Sequence, residues 1–112
     1  MTDCLFCKIV NGDIKSDVVF EDDKVLAFKD ISPKAPVHIL IIPKRHISTL
    51  NDLDDVELGG QLLQTAVKLA KQLGLADDGY RTVFNCNPQG GQVFYHLHLH
   101  LLAGRQMASS LG

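Results

Sequence analysis

The chain has 112 residues, 46% apolar and 21% charged, with a formal charge of −2. That length allows one core and not two, the composition excludes a disordered chain, and the slight negative charge argues against nucleic acid as the main partner. No apolar run nears the ~20 residues of a spanning helix, three cysteines give no disulfide framework, and no signal-like segment opens the chain, so a cytoplasmic protein without a membrane partner is expected.

Leu5, Phe6, Ile9 and Val10 share one face of a short N-terminal helix that Gly12 suits as an exit. Cys4 and Cys7 form C-x-x-C, which is either half of a zinc site or a pair of inert thiols. Val18–Glu21 and Lys24–Asp30 read as two strands around the turn Asp22-Asp23. Asp30 stands at the strand end, before the loop marked by Ser32-Pro33 and Ala35-Pro36. Residues 37–42, Val-His-Ile-Leu-Ile-Ile, read as a strand buried on both faces. His38 is its one polar side chain and must find a partner or a ligand, so it is placed facing the other histidines.

Asn51 or Asp52 is the expected cap of a long helix running to about residues 71–73. Leu58, Leu62, Leu69 and Leu73 form its apolar stripe, and Gly74 its stop. Gly59-Gly60 inside it costs helix propensity, which a close approach by a neighbouring backbone or subunit would explain. Residues 80–86 read as the next strand. Asn87 to Gly91 then form a tight loop whose glycines allow backbone N–H groups to approach a ligand closely.

The last strand carries Tyr95-His96-Leu97-His98-Leu99-His100-Leu101-Leu102. Period two puts His96, His98 and His100 on one face and Leu97, Leu99 and Leu101 on the other. A helix would scatter the imidazoles, and nothing in sheet packing calls for three of them. Neutral imidazole suits nucleophile, proton-relay and metal-ligand work near neutral pH.

This stretch resembles the His-x-His-x-His-x-x signature of the histidine-triad (HIT) nucleotide hydrolases and transferases. Phe28 to Pro33, His38, Ile42 to Ser48, Gly90-Gly91-Gln92 and Gly104 to Met107 resemble the Hint branch, the nucleoside phosphoramidases. The resemblance covers nearly the whole chain in register. It implies an α+β, HIT-like fold: a single domain over 1–112 with about five antiparallel strands, one long helix, a short N-terminal helix and a C-terminal tail from about residue 103. It also implies a homodimer joined edge to edge.

Carried over by position, the resemblance makes His98 the nucleophile, with His38, His100 and His96 as its catalytic companions. Asp30 would accept the ribose hydroxyls. Phe6, Ile9, Ile14, Phe28, Ile31 and Leu40 would wall the nucleoside pocket, and Asn85, Gly91, Gln92 and Val93 would lie beside the phosphate. Val93 stands where relatives often carry a small polar residue that assists the leaving group, so weaker handling of amines is expected. Cys4, Cys7, His46 and His96 would form a Cys2His2 structural zinc site, and catalysis would need no cofactor. The implied reaction releases AMP or GMP from purine nucleoside 5′-phosphoramidates or aminoacyl-adenylates. Dinucleoside polyphosphate hydrolysis, or a nucleotide-binding regulatory role with incidental turnover, are the alternatives.

Overall fold

A computed structural model describes residues 3–110. Five antiparallel strands form one sheet, β1 (Val18–Glu21), β2 (Val25–Lys29), β3 (Val37–Pro43), β4 (Arg81–Phe84) and β5 (Leu99–Ala103), in the order β1-β2-β3-β5-β4. Helix α1 spans Leu5–Val10 and helix α2 Val56–Gln72. The α+β architecture expected from the sequence is present. The tail expected from residue 103 onward starts inside β5, and its last two residues, 111 and 112, lie outside the described ones.

Each local element has an identifiable cause. The Cys4 sulfur caps α1 by accepting the Cys7 N–H at 3.3 Å. The hairpin between β1 and β2 is closed by Asp22, whose Oδ1 accepts the N–H groups of Lys24 and Val25, both at 2.8 Å. Helix α2 starts later than expected. Asn51 and Asp52 belong instead to a single 3₁₀ turn, in which the Asp52 carboxylate bonds back to Thr49. Leu53 then turns extended, and Asp55 is the true cap, accepting the Leu58 N–H at 3.1 Å. Gly74 ends the helix with φ +73°, and Leu75 N–H reaches back to the Ala70 carbonyl. Among the described residues no neighbouring backbone comes close at Gly59-Gly60: a Cβ at Gly59 would meet the Leu53 side chain at an ordinary 3.5 Å, and one at Gly60 nothing within 4 Å.

The sheet separates two apolar clusters. On one face, Leu58, Leu62, Ala66 and Leu69 of α2 pack on Ile39, Ile41, Leu97, Leu99 and Leu101. On the other, Phe6 and Ile9 of α1 cover Leu26, Phe28, Leu40 and Ile42. His38 and His100 alternate with the isoleucines and leucines of β3 and β5 and so share the second face.

One expectation needs correction. The triad is not wholly on a strand: β5 begins at Leu99, and His96, in a bend, and His98 precede it outside the ladder. The ladders end there, with Leu99 paired to Ile41 and Phe84. Leu97 N–H goes to Ile47 O instead. The alternation of faces persists without the ladder because Leu97 is buried with Leu99 and Leu101.

Just past β5, Gly104 has φ +98°, and a Cβ there would sit 2.8 Å from Pro36 Cβ. The chain thus returns over the start of β3 at a distance only glycine permits. Gly104→Ala should cost about 1–3 kcal/mol. The check is the urea midpoint at constant m-value, and a wild-type midpoint would refute the account.

Candidate active site

The second sheet face opens into a cavity of about 470 Å³. Its apolar end is lined by Phe6, Ile9, Ile14, Phe28 and Leu40. Asp30, His38, His98, His100 and Asn85 are among its polar lining residues. Ile31 and Val93 stand at the rim, 94% and 77% exposed. Every residue expected to wall a nucleoside pocket lines this one cavity. Gly91 and Val93 also line it, and Phe94 joins them, its ring 5.5 Å from that of Phe6.

Hydrogen-bond directions around the histidines follow from which partners can only donate and which can only accept. The Lys34 backbone N–H donates to His38 Nδ1 at 3.0 Å, so the neutral His38 ring carries its proton on Nε2. That Nε2–H lies 2.9 Å from His100 Nδ1, which must accept, so His100 holds its proton on Nε2. His98 is set in the opposite sense: its Nδ1–H donates to the His96 carbonyl at 2.7 Å, leaving Nε2 as a bare lone pair. The His98 and His100 rings are 4.9 Å apart between centroids. A nucleophilic nitrogen and an N–H donor therefore stand side by side.

Burial keeps these rings neutral. It depresses His98 and His38 below the ordinary imidazole value, with Asp30 opposing the shift in both. It pushes His100 down to about 4, with His98 and His38 adding to the effect. Asp30 is held by its own loop, where Oδ1 accepts the Ser32 N–H at 2.7 Å. Its Oδ2 is 3.5 Å from His38 Nε2, too far for a hydrogen bond. Asp30, His38 and His100 also cluster closely enough to face a common cation. The proton on His38 Nε2 makes that atom a donor, however, which does not suit a metal ligand.

His96, grouped with the catalytic histidines by the resemblance, belongs elsewhere. Its Nε2–H donates to Pro43 O at 2.8 Å, and its Nδ1 faces Cys4 Sγ at 3.3 Å and Cys7 Sγ at 3.5 Å. His46 Nδ1 is 3.3 Å from Cys7 Sγ, with its Nε2 on Ser48 Oγ at 3.2 Å. Burial and the adjacent Cys4 raise the Cys7 thiol to about 11. A tetrahedral zinc with ordinary Zn–S and Zn–N lengths separates sulfur and nitrogen ligands by about 3.5 Å. The four side chains fit such an ion: both ring nitrogens turned to the sulfurs are unprotonated or free to be, and the outer nitrogens are tied down.

Gln92 does not line the cavity. Its side chain accepts from Asn87 N–H and donates to Ser48 O and Phe94 O, which staples the loop before the triad. Asn85 lines the cavity, but its amide is engaged with Gly90 O at 2.7 Å. The sequence reading missed the Lys34 amide and the Pro43 carbonyl, which set ring tautomers through groups that carry little sequence signal, and Ser48, whose hydroxyl meets His46 Nε2. It also missed Lys15, Ser16 and Lys29 along the cavity wall.

Fold and site together place neutral, hydrogen-bonded imidazoles along the polar end of one cavity. The HIT domain model matches residues 11–107. The chain is 49% identical over 109 residues to the purine nucleoside phosphoramidase of Escherichia coli (strain K12), spanning 96% of this chain and 92% of that one. It is 51% identical to the 14 kDa zinc-binding protein of Brassica juncea, over 94% of this chain and 96% of that protein. A HIT family hydrolase from Legionella pneumophila Philadelphia 1 superposes with a TM-score of 0.95 at 57% identity, covering 98% of this chain and 100% of that chain. The chain belongs to the histidine-triad (HIT) family and is a hydrolase of the HIT type. Among the described residues, no helix is long and apolar enough to cross a membrane.

The depressed histidines make a stability prediction. An imidazole at 6.5 when unfolded and about 4 when folded, as for His100, binds its proton more tightly in the unfolded chain. Its contribution is complete above pH 6.5 and is lost as pH falls toward 4. Denaturant unfolding of the wild type should weaken steadily over that window, and His100→Gln should flatten the slope. Equal slopes for the two proteins would contradict this account of the burial.

Proposed function

We propose that this protein hydrolyses purine nucleoside 5′-phosphoramidates and aminoacyl-adenylates to the nucleoside monophosphate through a nucleotidyl-histidine on His98. The observation that carries this reading is the 2.7 Å bond from His98 Nδ1 to the His96 carbonyl. It leaves Nε2 unprotonated and beside the N–H of His100, at the polar end of a cavity with apolar walls. The names of the relatives, a purine nucleoside phosphoramidase above all, support the same substrate class.

In the first step His98 Nε2 attacks the α-phosphorus, an N–P bond forms and the bond to the leaving amine breaks. The amine takes a proton from solvent as it departs, whereas the carboxylate released from an aminoacyl-adenylate needs none. His100 Nε2–H donates to the oxygen on which charge accumulates, and the His38 N–H behind it supports that polarity. In the second step water attacks phosphorus, gives up a proton to solvent, and the N–P bond breaks, its electron pair returning to Nε2 to restore His98. Phe6, Ile9, Ile14, Phe28, Ile31 and Leu40 hold the nucleoside, while the acceptor-only carboxylate of Asp30 suits the ribose cis-diol. Asn85 and Gly91 border the phosphate. Gln92 acts through the loop it staples, not by contact. Val93 offers the leaving group no hydroxyl.

The reading also includes a structural zinc on Cys4, Cys7, His46 and His96, which with four protein ligands has no open position for chemistry. It includes a homodimer through the exposed edge of β4, at the end of the sheet, and a single domain over residues 1–112.

Wild-type protein mixed with adenosine 5′-phosphoramidate should release AMP, and acid quenching should trap a nucleotidyl-protein. His98→Ala should lose both, with a fall in rate of roughly 10³-fold or more. AMP release undiminished in the variant would end the covalent route. Untagged protein should contain about one zinc per chain by elemental analysis, and a stoichiometry near zero would remove the ion.

A further inference from the structure

A bound nucleobase presents a polar edge as well as two apolar faces. The walls that would cover its faces are plain in the cavity, but the triad, Asp30 and Asn85 are taken up by phosphate and ribose. Of the other polar residues in the wall, Lys15, Ser16, Lys29, Ser32 and Lys34, one has a buried side-chain oxygen without a partner. Ser16 lines the cavity, and its Oγ is buried with no hydrogen-bond partner, the sole such side-chain oxygen or nitrogen recorded among the described residues. A buried hydroxyl without a partner is costly and calls for an explanation.

Its place in the fold supplies one. Ser16 belongs to the segment joining α1 to β1. Ile14 N–H bonds Lys8 O of α1, and Asp17 O accepts the N–H of Lys29 at the end of β2. That segment therefore bridges the two elements that carry Phe6, Ile9 and Phe28, the apolar end of the cavity. We infer that the Ser16 hydroxyl, turned about χ1 from its buried position into the cavity that the residue lines, is the group that reads the polar edge of the bound base, a specificity-determining contact resting on the nucleotide-binding reading above. A hydroxyl rotates to donate or to accept. It can donate to a ring nitrogen or carbonyl oxygen, or accept from an amino or imino N–H. One serine thus serves both adenine and guanine while leaving a base of purine shape but without edge polarity unrewarded.

Calorimetric titration with AMP, GMP and benzimidazole riboside 5′-monophosphate tests this, because the last keeps the bicyclic shape and lacks polar atoms on the six-membered ring. Ser16→Ala should weaken AMP and GMP about 3- to 10-fold, the worth of a neutral hydrogen bond, and leave the benzimidazole nucleotide within about 2-fold. Unchanged affinities, or an equal loss for all three ligands, would overturn the assignment. The ligand-free variant should melt no lower than wild type, since alanine removes an unpartnered polar group. A drop of several degrees would show a structural partner and overturn it too. Wild-type protein that binds none of the three would instead defeat the nucleotide reading, and the base contact with it.

Discussion

Leu99 and Leu101 lie against α2 while His100 faces the cavity, and a one-residue slip between β3 and β5 would exchange them. Five pairs hold that register, from Val37 with Ala103 to Ile41 with Leu99. The slip would bury imidazoles among the leucines of the core and turn leucines toward the ligand. The hydrophobic demand of one face therefore specifies the geometry of the other. The row of histidines gets its alignment from residues on the opposite face of the sheet.

Within that frame the electrostatic state of the site is set by burial more than by any charged neighbour. A cationic imidazole would hold anionic phosphate tightly but could not attack it. The cavity suppresses that form, and fixed acceptors and donors select the useful tautomer of each neutral ring. The Lys34 amide begins the series through His38 to His100, and the His96 carbonyl orients His98 separately. A ring with a bare nitrogen and a ring with an N–H are thereby distinguished although both are the same kind of side chain.

Period-two spacing in the last strand, the apolar run 37–42 and the stop signals at Gly12 and Gly74 were enough to anticipate the sheet and helices. The facing of His38 toward the triad followed from its being the lone polar group in a buried strand. The start of α2 was misjudged because Asn51 and Asp52 are good cap residues engaged in a different turn, capped by Thr49. Three things were not legible at all. The tautomers depend on backbone groups, which every residue possesses. The role of Gln92 depends on a loop that folds back on Ser48. Ser16 looked like ordinary linker because only the packed wall around it shows that its hydroxyl has been left without company.

His96 occupies both halves of this arrangement. Its ring faces the two cysteines near the N-terminus, and its carbonyl holds the proton of His98. The first helix is thus moored to the same residue that orients the His98 ring, two positions away in the chain. Whatever tightens or loosens the sulfur-bearing turn pulls on a lever whose short arm ends at the bare nitrogen of that ring. An anchor of the N-terminal segment is in this way also a mount for the reactive centre, and the two cannot be adjusted separately.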